Sequence, residues 1–127
     1  MSEPIPTILV VEDEFLIRDY VADHLRDSGF NVIAVGDASR AVDLLTTGTR
    51  IDLVFTDITL PGEMDGFELV RWIRSRDRTL PVVLTSGGHN AAKAADVCKN
   101  EPFVSKPYNP VSLVAYFRRV LGRTDVA

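Results

Sequence analysis

Short apolar runs alternate along this chain with longer stretches in which apolar residues recur every three to four positions, the pattern of strand–helix units building a parallel sheet. Five such units can be traced. The runs Ile8–Val11, Asn31–Val35, Leu53–Thr56, Val82–Thr85 and Phe103–Ser105 are mostly continuous in Val, Ile, Leu and Phe, as strands covered on both faces should be. A first helix is predicted over Glu14–Ser28, with Ile17, Val21 and Leu25 on one stripe, Arg18, Asp19 and Arg26 off it, and Gly29 as the stop. Asp37 is the expected N-cap of a second helix in which Ala38, Ala41, Val42 and Leu45 share a face, with Gly48 after its end.

A third helix is predicted over Gly66–Arg76, with Leu69, Val70 and Ile73 inward, and a fifth over Pro110–Leu121, with Leu113, Val114, Phe117 and Leu121 inward. Between Thr85 and Phe103 the residues allow at most two helical turns, within Ala91–Cys98, so the fourth helix is expected to be short or irregular. Right-handed crossovers then give an α/β doubly wound sheet, a (βα)5 arrangement of flavodoxin-like strand order 2-1-3-4-5. Its crevice lies beyond the carboxyl ends of the first and third strands, just after Val11 and Thr56.

Length and charge narrow the classes. The 127 residues, 46% hydrophobic and 25% charged, suit one domain. We expect it over residues 7–122, between tails 1–6 and 123–127. The lone Cys98 excludes an internal disulfide framework and fits an intracellular, cytoplasmic protein. No run is long enough to span a bilayer, and the first residues do not resemble a secretion signal. A net charge of −4 opposes generic attraction to nucleic acid, and the basic stretches Arg71–Arg78 and Arg118–Arg123 read as solvated helix faces.

The crevice collects acids. Glu12, Asp13 and Glu14 follow the first strand and Asp57 follows the third, an arrangement that favours a divalent cation. Mg2+ suits carboxylate and carbonyl oxygens together with a phosphate oxygen. Taken alone, Glu12–Glu14 read equally as the acidic start of a helix. Asp57 is harder to explain so, because it ends an apolar run where burial begins and must be paired or used. A carboxylate there can attack phosphorus, and the transferring group then needs positive charge on its peripheral oxygens. Lys106, at the end of the fifth strand, can supply part of it, although alone it reads as a surface lysine before a turn. Ser86, before Gly87 and Gly88, can turn its hydroxyl to the same crevice, although a strand-end serine is commonly only a turn former. The convergence of Glu12, Asp13, Asp57, Ser86 and Lys106 on four strand ends outweighs these separate readings.

These residues lie within Ile-Leu-Val-Val-Glu-Asp-Glu at 8–14, Phe-Thr-Asp-Ile-Thr-Leu-Pro-Gly-Glu-Met-Asp-Gly at 55–66, Pro-Val-Val-Leu-Thr-Ser-Gly at 81–87 and Phe-Val-Ser-Lys-Pro-Tyr at 103–108. From Thr7 to Leu121 the chain resembles the CheY-like receiver domains of response regulators. The resemblance implies a phosphoacceptor protein rather than an enzyme acting on other substrates. Asp57 would be the phosphoacceptor, with Mg2+ held by Asp13, Asp57, the Thr59 carbonyl and Glu12, the last often through water. Lys106 would pair with a phosphoryl oxygen ahead of a cis Lys106–Pro107 bond. Ser86 and Phe103 would be the switch pair. The donor would be a histidine kinase or a histidine phosphotransfer protein, and the domain a monomer or a phosphorylation-dependent dimer acting as output, shuttle or sink.

Departures from the family pattern are Ser86 where threonine is commoner, one extra residue in the loop Pro61–Gly66, a shortened stretch from Ser86 to Lys106, and Gly88 beside the phosphate position with Thr59. The short fourth helix and the loop resemble single-domain receivers common in alphaproteobacteria. Only six residues follow Leu121, so output is expected through protein contacts, with Tyr116, Arg118 and Arg119 as contributors. Three rival readings fare worse. A nucleotide or flavin binder would not place three acids after the first strand. An aspartate-nucleophile phosphatase would carry an acid at position 59, where Thr59 stands. A pseudo-receiver, a binding module that works without phosphorylation, would lack one of the five site residues, and none is missing. His24, His89, Cys98 and Trp72 read as packing or surface residues.

Overall fold

The structure, a computed structural model, describes residues 4–87 and 101–122. The segment expected to hold the fourth helix, with Gly88, His89 and Cys98, lies outside the described residues, as do both ends of the chain. Strands β1 (Thr7–Val11), β2 (Asn31–Val35), β3 (Leu53–Asp57), β4 (Val82–Ser86) and β5 (Phe103–Ser105) form one parallel sheet of order β2-β1-β3-β4-β5. Helices α1 (Phe15–Asp27), α2 (Ala38–Thr46), α3 (Gly66–Arg76) and α4 (Pro110–Val120) connect and follow them. The helix predicted as the fifth is thus α4. The α/β strand order inferred from the crossovers is the one observed.

Alternation along the strands builds two cores. Leu9 and Val11 of β1, Val54 of β3 and Val82 and Leu84 of β4 pack under α2 and α3 with Ala41, Leu69 and Ile73. Ile8 and Val10, Leu53 and Phe55, and Val83 face the other way, against Val21 and Leu25 of α1 and Leu113 and Phe117 of α4. Phe55 and Phe117, both fully buried, meet edge to face at 5.2 Å, a geometry that matches the positive edge of one ring to the negative face of the other.

Helix ends follow local chemistry. Asp37 Oδ1 accepts the Arg40 N–H at 2.9 Å, as expected of its N-cap position. Asp65 and Glu68 form a reciprocal capping box, both bonds 2.9 Å, which the Asp-x-x-Glu spacing carries and which explains the start of α3 at Gly66. Asn109 caps α4 through the Val111 N–H at 2.8 Å, with Pro110 in its first turn. Gly29 and Gly48 take φ of +100° and +82° just past α1 and α2, the left-handed backbone that stops a helix at low cost. Helix α1 begins one residue later than predicted, because Glu14 is its N-cap and no acid occupies the first turn.

Candidate functional site

The phase of the strands decides which charges can meet. Asp57 continues the β3 phase of Leu53 and Phe55, and Glu12 continues the β1 phase of Ile8 and Val10, so both acids lean to the α1 and α4 side. Both are buried, at 6% and 3% exposure, whereas Asp13 is exposed. One oxygen from each of Glu12, Asp13 and Asp57 can be chosen so that all lie within 4.8 Å of one another. Lys106 reaches the first and last of these. Its Nζ donates to Asp57 Oδ2 at 2.5 Å and to Glu12 Oε1 at 2.8 Å.

The remaining oxygens are held by backbone. Asp57 Oδ1 accepts the Thr59 N–H at 3.0 Å, and Glu12 Oε2 accepts the N–H of Glu14, the N-cap residue of α1, at 3.0 Å. Burial, joined by the nearby Asp57 charge, holds the Glu12 carboxyl above its ordinary value of 4.5 even though Lys106 and the Glu14 N–H pull it down. For Lys106 burial alone would lower the ammonium; its bonds to Asp57 and Glu12 prevail and raise it. Three carboxylates against one ammonium leave the cluster negative, and a hard divalent cation is the partner that these oxygen donors suit.

Ser86 is buried at the end of β4, with the phase of Leu84, and among the described residues its Oγ makes a 3.5 Å contact with the Gly87 carbonyl. Its own carbonyl accepts the Lys106 N–H at 2.9 Å, which ties the end of β5 to β4. Phe103 is half-buried and packs toward the α2 and α3 core, the side Ser86 faces. Thr59 is exposed beside Asp57. The Lys106–Pro107 peptide is cis, as expected. The extra loop length at Pro61, Gly62 and Glu63 is exposed.

Several residues gain importance only here. Gly66 opens α3 against the strand it follows: a Cβ there would collide with the Asp57 carbonyl oxygen and stand 2.6 Å from Ile58 Cα. Tyr108 packs edge-on to Phe55 at 5.5 Å, and burial, with the Glu12 charge adding to it, pushes its phenol up to about 12. Thr85, opposite Asp57 across the β3–β4 ladder, buries a hydroxyl with no hydrogen-bond partner among the described residues. Arg118, expected at an output surface, is exposed; it also donates to the Ser28 carbonyl at 2.7 Å and lies 5.7 Å from the Phe30 ring, which joins α4 to the turn after α1. Arg119 lies over Tyr116 at 5.6 Å. His24 and Trp72 are half-buried on α1 and α3.

Among the described residues no helix is long and apolar enough to cross a membrane. Residues 8–118 match the family model described as the response regulator receiver domain. The transcriptional regulatory protein AruR of Pseudomonas aeruginosa is 31% identical over 124 residues, 94% of this chain and 50% of that protein. The two-component response regulator ORR11 of Oryza sativa is 32% identical over 120 residues, 91% of this chain and 81% of that one. The chain thus spans half the length of the first relative and most of the second. Among solved structures, a response regulator receiver protein from Sinorhizobium medicae superposes with a TM-score of 0.86 at 30% identity, covering 98% of this chain and 100% of that one. The receiver domain of NtrX from Brucella abortus gives 0.82 at 35% identity, over 92% and 99%. The superposed structures share the fold of this sheet, and the family model and relatives place the chain among the response regulator receiver domains of two-component systems, to which it belongs.

Proposed function

We propose that residues 7–122 form a phosphoacceptor unit that takes a phosphoryl group onto Asp57 from a histidine kinase or a histidine phosphotransfer protein, with Mg2+ held by Glu12, Asp13, Asp57 and the Thr59 carbonyl. The observation that carries this reading is the Lys106 ammonium 2.5 Å from Asp57 and 2.8 Å from Glu12, inside a group of three carboxylates. The cation would neutralise charge on the transferring phosphoryl oxygens. An Asp57 oxygen attacks phosphorus, the bond from phosphorus to the donor histidine nitrogen breaks, and the imidazole leaves with that electron pair. The Thr59 N–H orients the carboxylate through Oδ1. Lys106, with Glu12 as a second partner, can turn from Oδ2 to a phosphoryl oxygen without becoming an isolated buried charge.

Ser86, whose hydroxyl has a long contact to give up among the described residues, and Phe103, half-buried on the same side, then report the phosphate. Output runs through protein contacts, or the domain serves as a phosphate shuttle or sink. A protein donor also finds an apolar rim beside the site. Phe15, Leu16 and Tyr20 of α1 are 61%, 79% and 61% exposed, next to a groove of about 400 Å³ that Ile17, Pro107 and Tyr108 help to line.

Incubation with acetyl phosphate tests the chemistry. The chain should gain one phosphoryl group by intact mass only when Mg2+ is present, and Asp57→Asn should abolish the gain. Labelling that persists in Asp57→Asn, or that ignores the metal, would overturn the assignment. Leu16→Lys should slow transfer from a phosphorylated histidine phosphotransfer protein several-fold and leave labelling by acetyl phosphate unchanged; equal slowing with both donors would remove α1 from the donor surface.

A further inference from the structure

The chain turns from β1 into α1 through Glu12, Asp13 and Glu14, three consecutive acids that repel one another yet must be held in one arrangement for a cation to find its ligands together. Two bonds restrain this turn. The Glu12 N–H donates to the Val35 carbonyl at 3.0 Å, and the Glu14 N–H donates to the Glu12 carboxylate at 3.0 Å. Neither holds the peptide plane between Glu12 and Asp13, whose rotation decides where the Asp13 side chain points relative to the Glu12 one.

Arg18 does. It stands one turn into α1, where side chains lean back toward the helix start. Its Nη1 donates to the Glu12 carbonyl oxygen at 2.9 Å, and its guanidinium lies 5.6 Å from the Phe15 ring centre. The space it needs is left by Gly36, just after β2: a Cβ at that position would stand 3.0 Å from Arg18 Nη1. Gly36 has no positive φ, so its lack of a side chain is explained by this approach rather than by backbone conformation.

We propose that Arg18 is a positioning residue for the acidic site: it fixes the Glu12–Asp13 peptide so that the two carboxylates are preorganised for a divalent cation, and Gly36 keeps room for it. The inference rests on the reading of Glu12, Asp13 and Asp57 as that cation's ligands. It differs in sign from the effect of charge alone. A guanidinium beside an acidic site repels a cation, so its removal should tighten metal binding if charge were all that mattered. Loss of a fixed ligand geometry should weaken it, by about tenfold on the scale typical of groups that orient metal ligands.

Calorimetric titration with Mg2+ of the full chain, its Arg18→Met and Gly36→Ala variants and the double variant separates the two. Gly36→Ala is informative because it keeps the positive charge while its Cβ, 3.0 Å from Arg18 Nη1, makes the flexible end of Arg18 shift against the carbonyl. Arg18→Met should bind Mg2+ about tenfold more weakly and Gly36→Ala more weakly by a smaller factor, the double variant no more weakly than Arg18→Met, and the Glu14 amide should exchange faster in metal-free buffer. Binding that is unchanged or tighter in either single variant, with the unsubstituted chain binding normally, overturns the proposal. If the unsubstituted chain binds no Mg2+, the cation reading fails instead. The Glu14 exchange rate then decides whether Arg18 holds the turn, since a rate unchanged in both variants would overturn that as well.

Discussion

Strand β3 ends at a charged residue, Asp57, and β5 is followed at once by another, Lys106; the two charges meet, yet the strands themselves are built in opposite ways. All five residues of β3 are buried, and it is laddered to β1 on one side and β4 on the other. The three residues of β5 are half-buried or exposed, and among the described residues the strand pairs with β4 alone. A carboxylate at the end of a doubly paired strand has little freedom to move away from an incoming group. An ammonium on a four-carbon stem at the end of an edge strand can change partners. The contrast teaches that the acceptor and its counter-charge are held to different tolerances. Asp57 is placed by backbone, Lys106 by two ion pairs.

The strongest way to break this contrast is at Gly66, where any side chain presses on the backbone at Asp57 and Ile58. Gly66→Ala should destabilise the fold by about 3 kcal/mol in urea melts, the upper range for forced overpacking. A loss below ~0.5 kcal/mol would mean that the β3 end yields easily, and the comparison would collapse.

Lys106→Met should cost less, roughly 2 kcal/mol at pH 7, below the full value for a broken buried pair because the lysine side chain is 19% exposed. The cost should shrink toward pH 4. The folded Glu12 carboxyl already lies above 4.5, so the stability linked to its protonated form is complete below 4.5 and fades as pH rises through the folded value. Removing Lys106 raises that value further, so more stability is lost at neutral pH than in acid. A cost independent of pH would show that Lys106 does not compensate Glu12.

Between the two strands, Thr85→Val on β4 should be neutral or stabilise by up to about 1 kcal/mol, because the hydroxyl it removes is buried without a partner among the described residues. Destabilisation beyond that would reveal a role for the hydroxyl in the site. The smallest effect is spectroscopic. Tyr108, beside the β5 end, should ionise near pH 12, and Tyr108→Phe should erase that step from an alkaline absorbance titration. Its contribution to stability is complete below the ordinary phenol value of 10.0 and is lost as pH rises toward about 12. A titration step that survives the substitution would place the shifted phenol elsewhere.

Most of the fold was legible in the sequence because its signals are local. Strand phase, helical stripes, the Asp37 cap, Pro110 in a first turn and Gly29 after a last one each depend on residues within a few positions of one another. The same locality put Glu12 and Asp57 at the ends of neighbouring strands. The start of α1, expected at about Glu14, lies at Phe15 with Glu14 as its N-cap, a residue whose N–H the Glu12 side chain accepts. Arg18 was legible only as a residue off the apolar stripe, and Tyr108 only as the end of a motif.

What the sequence determined by itself, then, is which elements form, in what order they lie, and that acids gather at one edge of the sheet. The tertiary structure alone decided that Lys106, 94 positions from Glu12 and 49 from Asp57, bonds both. It alone decided that Arg18 fits over Gly36 onto a carbonyl and that Gly66 closes on β3. The physical reason is that periodicity and capping are set within a turn of chain. Which side chain reaches which oxygen depends on crossovers, rotamers and the space that distant residues leave.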